Sequence, residues 1–175
     1  MPKHILISGA RGVGKSTLIR RLLEHSSRTV CGFYTKSLPM DESGTHPVYI
    51  HPAATPEGNR IYTPENRIAI CTSAGPQVNC AAFDVLGVDY LTSLPENGLV
   101  LMDELGFMES RSECFTRKVL EILDGDLPVI AAIKNRMDIP FLAQLHRHPN
   151  AAVYEISTDN REELFQQLLP LVEAL

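Results

Sequence analysis

The sequence predicts an α/β protein whose mostly parallel sheet carries helices on both faces. Three observations predict it. Short apolar runs alternate with segments of helical periodicity; the first run feeds directly into a glycine-rich loop; and a later run, Gly98 to Met102, ends in the acid pair Asp103-Glu104. Strands joined through helices need crossover connections, and crossovers produce parallel sheets covered on both sides.

Taken in order, Lys3 to Ser8 is apolar and short, as a strand buried on both faces should be. From Lys15 the apolar residues Leu18, Ile19, Leu22 and Leu23 recur at helical spacing with Arg20 and Arg21 between them, which predicts an amphipathic helix. Thr29 to Lys36 reads as a second strand. The stretch from Leu38 to about Pro76 is rich in Pro, Gly, Thr and Asn, and within it Pro47 to His51 and Arg67 to Thr72 read as short strands of an inserted β-hairpin or meander. A short helical piece is expected near Asp89 to Ser93, before the strand Gly98 to Met102. Ser110 with Glu113 matches a capping box and predicts a helix start, with Phe115, Val119, Ile122 and Leu123 on its apolar face. Pro128 to Ile133 is the next strand, Pro140 to His148 a further helix and Ala151 to Ile156 the last strand. Asp159 with Glu162 offers a second capping box ahead of Leu164, Phe165, Leu168 and Leu169, and Pro170 should kink or end that helix.

At 175 residues, 44% hydrophobic and 21% charged, the chain is expected to form one domain over 1–175 with a β-rich insertion at about 38–76. Neither internal repeats nor a linker-like tract interrupts it. A net charge of -5 argues against nonspecific binding to nucleic acid, which needs clustered Lys and Arg. Cys31, Cys71, Cys80 and Cys114 form no C-x-x-C pair and are expected to be reduced thiols. No run approaches the ~18 apolar residues of a membrane helix, and Met1 leads at once into a strand-like run rather than a leader, so the cytoplasm is the expected compartment.

Gly9-Ala10-Arg11-Gly12-Val13-Gly14-Lys15-Ser16, followed by Thr17, satisfies G-x-x-x-x-G-K-[ST] between a predicted strand and a predicted helix. The pattern has a mechanism. Glycines let successive N–H groups turn inward around phosphate oxygens, and the helix start adds its positive end. Lys15 would neutralise the β- and γ-phosphates of a nucleoside triphosphate, and the Ser16 hydroxyl would ligate a bridging Mg²⁺. Arg11 would reach phosphate or a partner from within the loop.

Leu99-Val100-Leu101-Met102-Asp103-Glu104 has the Walker B form, with Asp103 as the Mg²⁺ residue at a strand end expected beside the first strand. Glu104 would point to the opposite face of an extended chain, toward a water attacking the γ-phosphate. A guanine-switch reading is also available, because Asp103-x-x-Gly106 and Asn135-Arg136-Met137-Asp138 resemble D-x-x-G and N-K-x-D. One helix and one strand fill the interval where such switches have two strand-helix units, and Arg stands in place of Lys, so this reading ranks lower. Thr35 and Lys36 end a strand where ligands collect in such sheets, Arg136 and Arg161 are candidate transition-state cations, and His146 and His148 read as surface residues.

These residues resemble the small P-loop nucleoside-triphosphatases of archaea and bacteria, whose animal member is called cancer-related nucleoside-triphosphatase. The matching pieces are Gly9 to Thr17, Gly32-Phe33-Tyr34-Thr35, Asp103-Glu104-Leu105-Gly106-Phe107-Met108-Glu109, Val129 to Ile133, and Asn160-Arg161. The resemblance implies a RecA-like P-loop fold and slow hydrolysis of several nucleoside triphosphates, ATP and GTP included. It also implies roles for Asp103 and Glu104 as above, and places Asn160 and Arg161 near the base or phosphates. The sequence departs from the family at Lys36-Ser37-Leu38-Pro39 and at Cys80 to Val88. A nucleotide or small-molecule kinase, with the insertion closing over an acceptor, and a nucleotide-dependent regulatory module stand as alternatives; no feature identifies a protein partner.

Overall fold

The computed structural model describes residues 3–175; Met1 and Pro2, the start of the expected unit, lie outside them. One eight-stranded sheet runs through the described residues in the order β5-β4-β3-β2-β6-β7-β1-β8. Its strands are β1 (His4–Ser8), β2 (Thr29–Ser37), β3 (His46–Pro52), β4 (Arg67–Thr72), β5 (Gly75–Val78), β6 (Gly98–Leu105), β7 (Val129–Ile133) and β8 (Ala151–Glu155). Strands β2, β6, β7, β1 and β8 are parallel to their neighbours in that block. The insertion adds β3, β4 and β5 antiparallel at one edge, so the expected meander is continuous with the main sheet.

Alternation along the central strands divides the core in two. Leu6, Val100, Met102, Val129, Ala131 and Ile133 face α4 (Glu113–Asp124), α5 (Pro140–His146) and the helical stretch formed by α2 (Cys80–Ala82), a π-helical turn (Phe83–Gly87) and α3 (Val88–Tyr90). Ile5, Ile7, Leu99, Leu101, Ile130 and Ala132 face α1 (Lys15–Leu23) and α6 (Arg161–Glu173). Helices therefore cover both faces, as the sequence predicts.

Several elements differ from expectation. β6 does not adjoin β1, because β7 lies between them. β5 was hidden by Gly75 and Pro76, which read as loop; a proline is tolerated there because β5 is an edge strand. The helical stretch spans 80–90 rather than 89–93, and its π turn breaks the period that would reveal it. Neither capping box forms. A 3₁₀ turn at Met108–Arg111 intervenes before α4, and the Ser110 hydroxyl donates to the Phe107 carbonyl at 2.6 Å. At α6 the Asn160 side chain folds back onto the preceding turn, accepting from Ser157 N–H at 2.8 Å and donating to the Glu155 carbonyl at 2.9 Å, while Glu162 pairs with Arg21 at 3.1 Å. Pro170 stays inside α6, its ring exposed, because Leu168 and Val172 on either side remain anchored in the core. α5 stops at His146, which is half-buried against the Lys134 carbonyl at 3.3 Å, and His148 lies 3.4 Å from Asp124, so neither is a free surface residue. No helix among the described residues is long and apolar enough to cross a membrane.

Candidate active site

The glycine-rich loop leaves β1 at Ser8 and enters α1 at Lys15. Gly12 (φ 74°) and Gly14 (φ 105°) adopt the left-handed conformation that curls the loop, which side chains rarely accept. Gly9 abuts the chain after β8, since a Cβ there would lie 2.6 Å from the Ile156 carbonyl oxygen. Lys15 is only 6% exposed, and its ammonium donates to the carbonyls of Gly9 at 2.9 Å and Ala10 at 3.0 Å. It also pairs with Glu104 at 3.2 Å.

Helix α1 packs over β7, so its first turn reaches across that strand to the end of β6. The Ser16 hydroxyl donates to Asp103 Oδ1 at 3.0 Å, which unites the two segments despite the intervening strand. The register of β6 on β7 slips between Asp103 and Leu105, making Glu104 the extra residue of a bulge and returning Leu105 to the core. The peptide joining Asp103 to Glu104 is cis. Asp103 turns toward Ser16, whereas Glu104 turns toward Lys134 at 3.5 Å, and its N–H donates to the Thr35 hydroxyl at 3.3 Å. Both carboxylates line one cleft of about 430 Å³ with Arg11, Thr35 and Lys134, and Arg11 is exposed at its edge.

Burial pushes the Asp103 carboxyl up to about 6; its bond from Ser16 pulls the other way, the charge of Glu104 pushes it further up, and Lys15 pulls it down. Glu109, 3% exposed, is pushed up to about 7, again by burial, while accepting the Gly106 N–H pulls it down. Asp103 has no cationic side chain paired with it among the described residues: its partner is a neutral hydroxyl, and Lys15 is engaged by Glu104. A buried carboxylate beside a hydroxyl fits a hydrated Mg²⁺ completed by substrate phosphates. No cluster of three or more His, Cys, Asp or Glu side chains among the described residues forms a closed metal site.

On the far side of the loop Arg161 donates from Nε to the Val13 carbonyl at 2.8 Å and flanks Gly14. Gly12, Gly14, Thr17 and Arg161 line a smaller cleft of about 240 Å³ there. Asn160 shapes the approach to α6 through its bonds to Ser157 and Glu155. Arg136 is exposed and bound to Asp138 at 2.6 Å, so the segment compared with a guanine reader satisfies itself. Sequence reasoning missed Lys134 and gave Glu109 no role. A signal for Lys134 existed: it ends the apolar run of β7 as Asp103 and Glu104 end that of β6.

An eight-stranded α/β sheet whose glycine-rich loop runs from β1 into α1 and is joined through Ser16 to the carboxylate strand β6 defines the P-loop class of α/β fold. Residues 4–169 match the protein family described as NTPase, and the chain belongs to that family. It is 32% identical over 170 residues to the nucleoside-triphosphatase THEP1 of Thermotoga petrophila, covering 94% of this chain and 90% of that one. The cancer-related nucleoside-triphosphatase homolog of Mus musculus is 25% identical over 191 residues, covering 99% and 98%. The crystal structure of THEP1 from Aquifex aeolicus superposes with a TM-score of 0.74 at 23% identity, over 97% of this chain and 99% of that one, and shares the fold.

Proposed function

We propose that residues 1–175 form one catalytic unit that hydrolyses ATP, GTP and other nucleoside triphosphates, with Mg²⁺, to nucleoside diphosphate and phosphate. The observation that carries this reading is Glu104, held between Lys15 at 3.2 Å and Lys134 at 3.5 Å beside the Ser16–Asp103 pair. The N–H groups of Gly9 to Thr17 and the start of α1 receive the phosphates. Lys15 leaves the Gly9 and Ala10 carbonyls for the β- and γ-phosphates, which frees Glu104 from its tighter ion pair. Glu104 then accepts a proton from water as the water oxygen bonds to the γ-phosphorus and the bond to the β-phosphate oxygen breaks. Lys134 balances the charge gathering beside Glu104. When bound by Ser16 and Asp103, Mg²⁺ would supply charge neutralisation across the β- and γ-phosphates.

The nucleoside is directed away from the acids, toward Arg161. Among the described residues the cleft there is lined by no Asn, Asp or Gln side chain; Arg21 is paired with Glu162 and Arg161 is bound to Val13. Broad base tolerance is part of this reading, with Arg161 and Asn160 shaping the site rather than selecting the base.

The test compares wild type and Glu104→Gln for phosphate release from ATP and GTP, with binding followed by a fluorescent nucleotide analogue. Wild type releases phosphate from both only with Mg²⁺ present; the variant binds within threefold but turns over about 100-fold more slowly, the scale of a lost general base. Hydrolysis by Glu104→Gln at the wild-type rate refutes the mechanism.

A further inference from the structure

Gly106, the glycine of Asp103-x-x-Gly106, is buried yet does not adopt a left-handed conformation, so backbone strain does not call for glycine there. Space does. A Cβ at Gly106 would lie 3.2 Å from Cδ and 3.3 Å from Cε of Lys134. The stem of Lys134 therefore runs directly along the Gly106 backbone, and a side chain at 106 would push it aside by a few tenths of an ångström.

Lys134 needs such a wall. It is the first residue beyond β7, and its backbone is fixed on both sides: its N–H donates to the Leu105 carbonyl at 3.0 Å, and its carbonyl lies 3.3 Å from His146 Nε2. Its ammonium, however, stands at the end of a flexible four-carbon stem. The ion pair with Glu104, 3.5 Å long and partly exposed, is too weak to select one rotamer by itself. The Phe107 ring supplies a second restraint. The ammonium lies 5.1 Å from the ring centre, within the range where an aromatic face attracts a cation. Glu109 accepts the Gly106 N–H and so fastens the segment that carries both Gly106 and Phe107. Glu104, Gly106, Phe107, Glu109 and Lys134 line one small cavity of about 40 Å³.

We propose that Phe107 and Gly106 are positioning residues for hydrolysis: the ring holds the Lys134 ammonium beside Glu104, and the bare backbone of Gly106 leaves the stem its path. The proposal rests on the reading that Lys134 balances the charge gathering beside Glu104. Once Lys15 has turned to the phosphates, Lys134 remains as the cation paired with Glu104. A displaced or looser ammonium is then felt in the transition state rather than in nucleotide binding.

The full chain is assayed with Mg²⁺ and ATP, well below the unfolding transition of each variant. Phe107→Leu keeps an apolar group and removes the ring face; it lowers kcat roughly threefold to fivefold at unchanged KM, the scale of one partly exposed cation–π contact. Phe107→Tyr, which retains the ring, keeps kcat near wild type. Pentafluorophenylalanine incorporated at 107 preserves the ring's shape but reverses the charge of its face, and lowers kcat at least as far as Phe107→Leu. Gly106→Ala lowers kcat as well. In Lys134→Met, itself slowed, none of these changes lowers kcat further, because no ammonium is left to place. Losses that persist in the Lys134→Met background overturn the proposal and leave the hydrolase reading standing, since packing alone would explain them. So does a wild-type kcat in Phe107→Leu, in Gly106→Ala or with the fluorinated ring, or a raised KM at unchanged kcat. A wild-type kcat in Lys134→Met overturns the role given to Lys134 and the proposal together.

Discussion

Replacing Glu109 by Gln should make the stability of this protein less dependent on pH. Glu109 sits in the 3₁₀ turn after β6, 3% exposed, accepting the Gly106 N–H close to Glu104 and Lys134. Burial, opposed by the Gly106 bond, raises its carboxyl from 4.5 to about 7. The unfolded chain therefore ionises first. The favourable contribution of the protonated form is complete below 4.5 and is lost as pH rises through about 7, in all roughly 3 kcal/mol. Most of that falls between pH 5 and pH 8. Glu109→Gln keeps an oxygen to accept from Gly106 and removes the titration. In urea unfolding, the free energy of the variant relative to wild type should rise by roughly 2 to 3 kcal/mol from pH 5 to pH 8. An offset that is the same at both pH values would show that Glu109 ionises in the fold as it does in the unfolded chain, and would refute the reasoning.

Gly32 (φ 92°) faces Leu101 across the β2–β6 ladder, and a Cβ there would lie 2.2 Å from the Leu101 carbonyl oxygen. Gly32→Ala should combine left-handed strain with overpacking, about 3 kcal/mol, and lower Tm by roughly 6–12 °C. Gly44→Ala, at φ 76° with nothing within 4 Å, should cost only the backbone term of about 1–2 kcal/mol; equal losses in thermal unfolding would contradict this account. Lys134→Met should lower kcat about 100-fold with little change in KM, because it removes the cation 3.5 Å from Glu104. Arg136→Met, which breaks an exposed pair with Asp138, should leave steady-state phosphate release near wild type.

The glycine-rich loop was legible in the sequence because its geometry is local: two left-handed glycines and the start of a helix need no distant partner. The buried strands were legible for a related reason, since unbroken apolar runs such as Leu99 to Met102 and Val129 to Ile133 have few other uses. The acid pair was visible as residues, but its relation to the loop was not. Apolar runs do not encode which strands pair, so the insertion of β7 between β1 and β6 emerged only when the whole sheet assembled. That same arrangement set Lys134 beside Glu104, residues thirty positions apart, and let Ser16 reach Asp103 over an intervening strand. Burial of Glu109 likewise depends on the packing of separate segments around one turn. The sequence alone thus determined the class of loop and strand; the tertiary structure decided the neighbours, because pairing order and burial are properties of non-local contacts that no single stretch of chain contains.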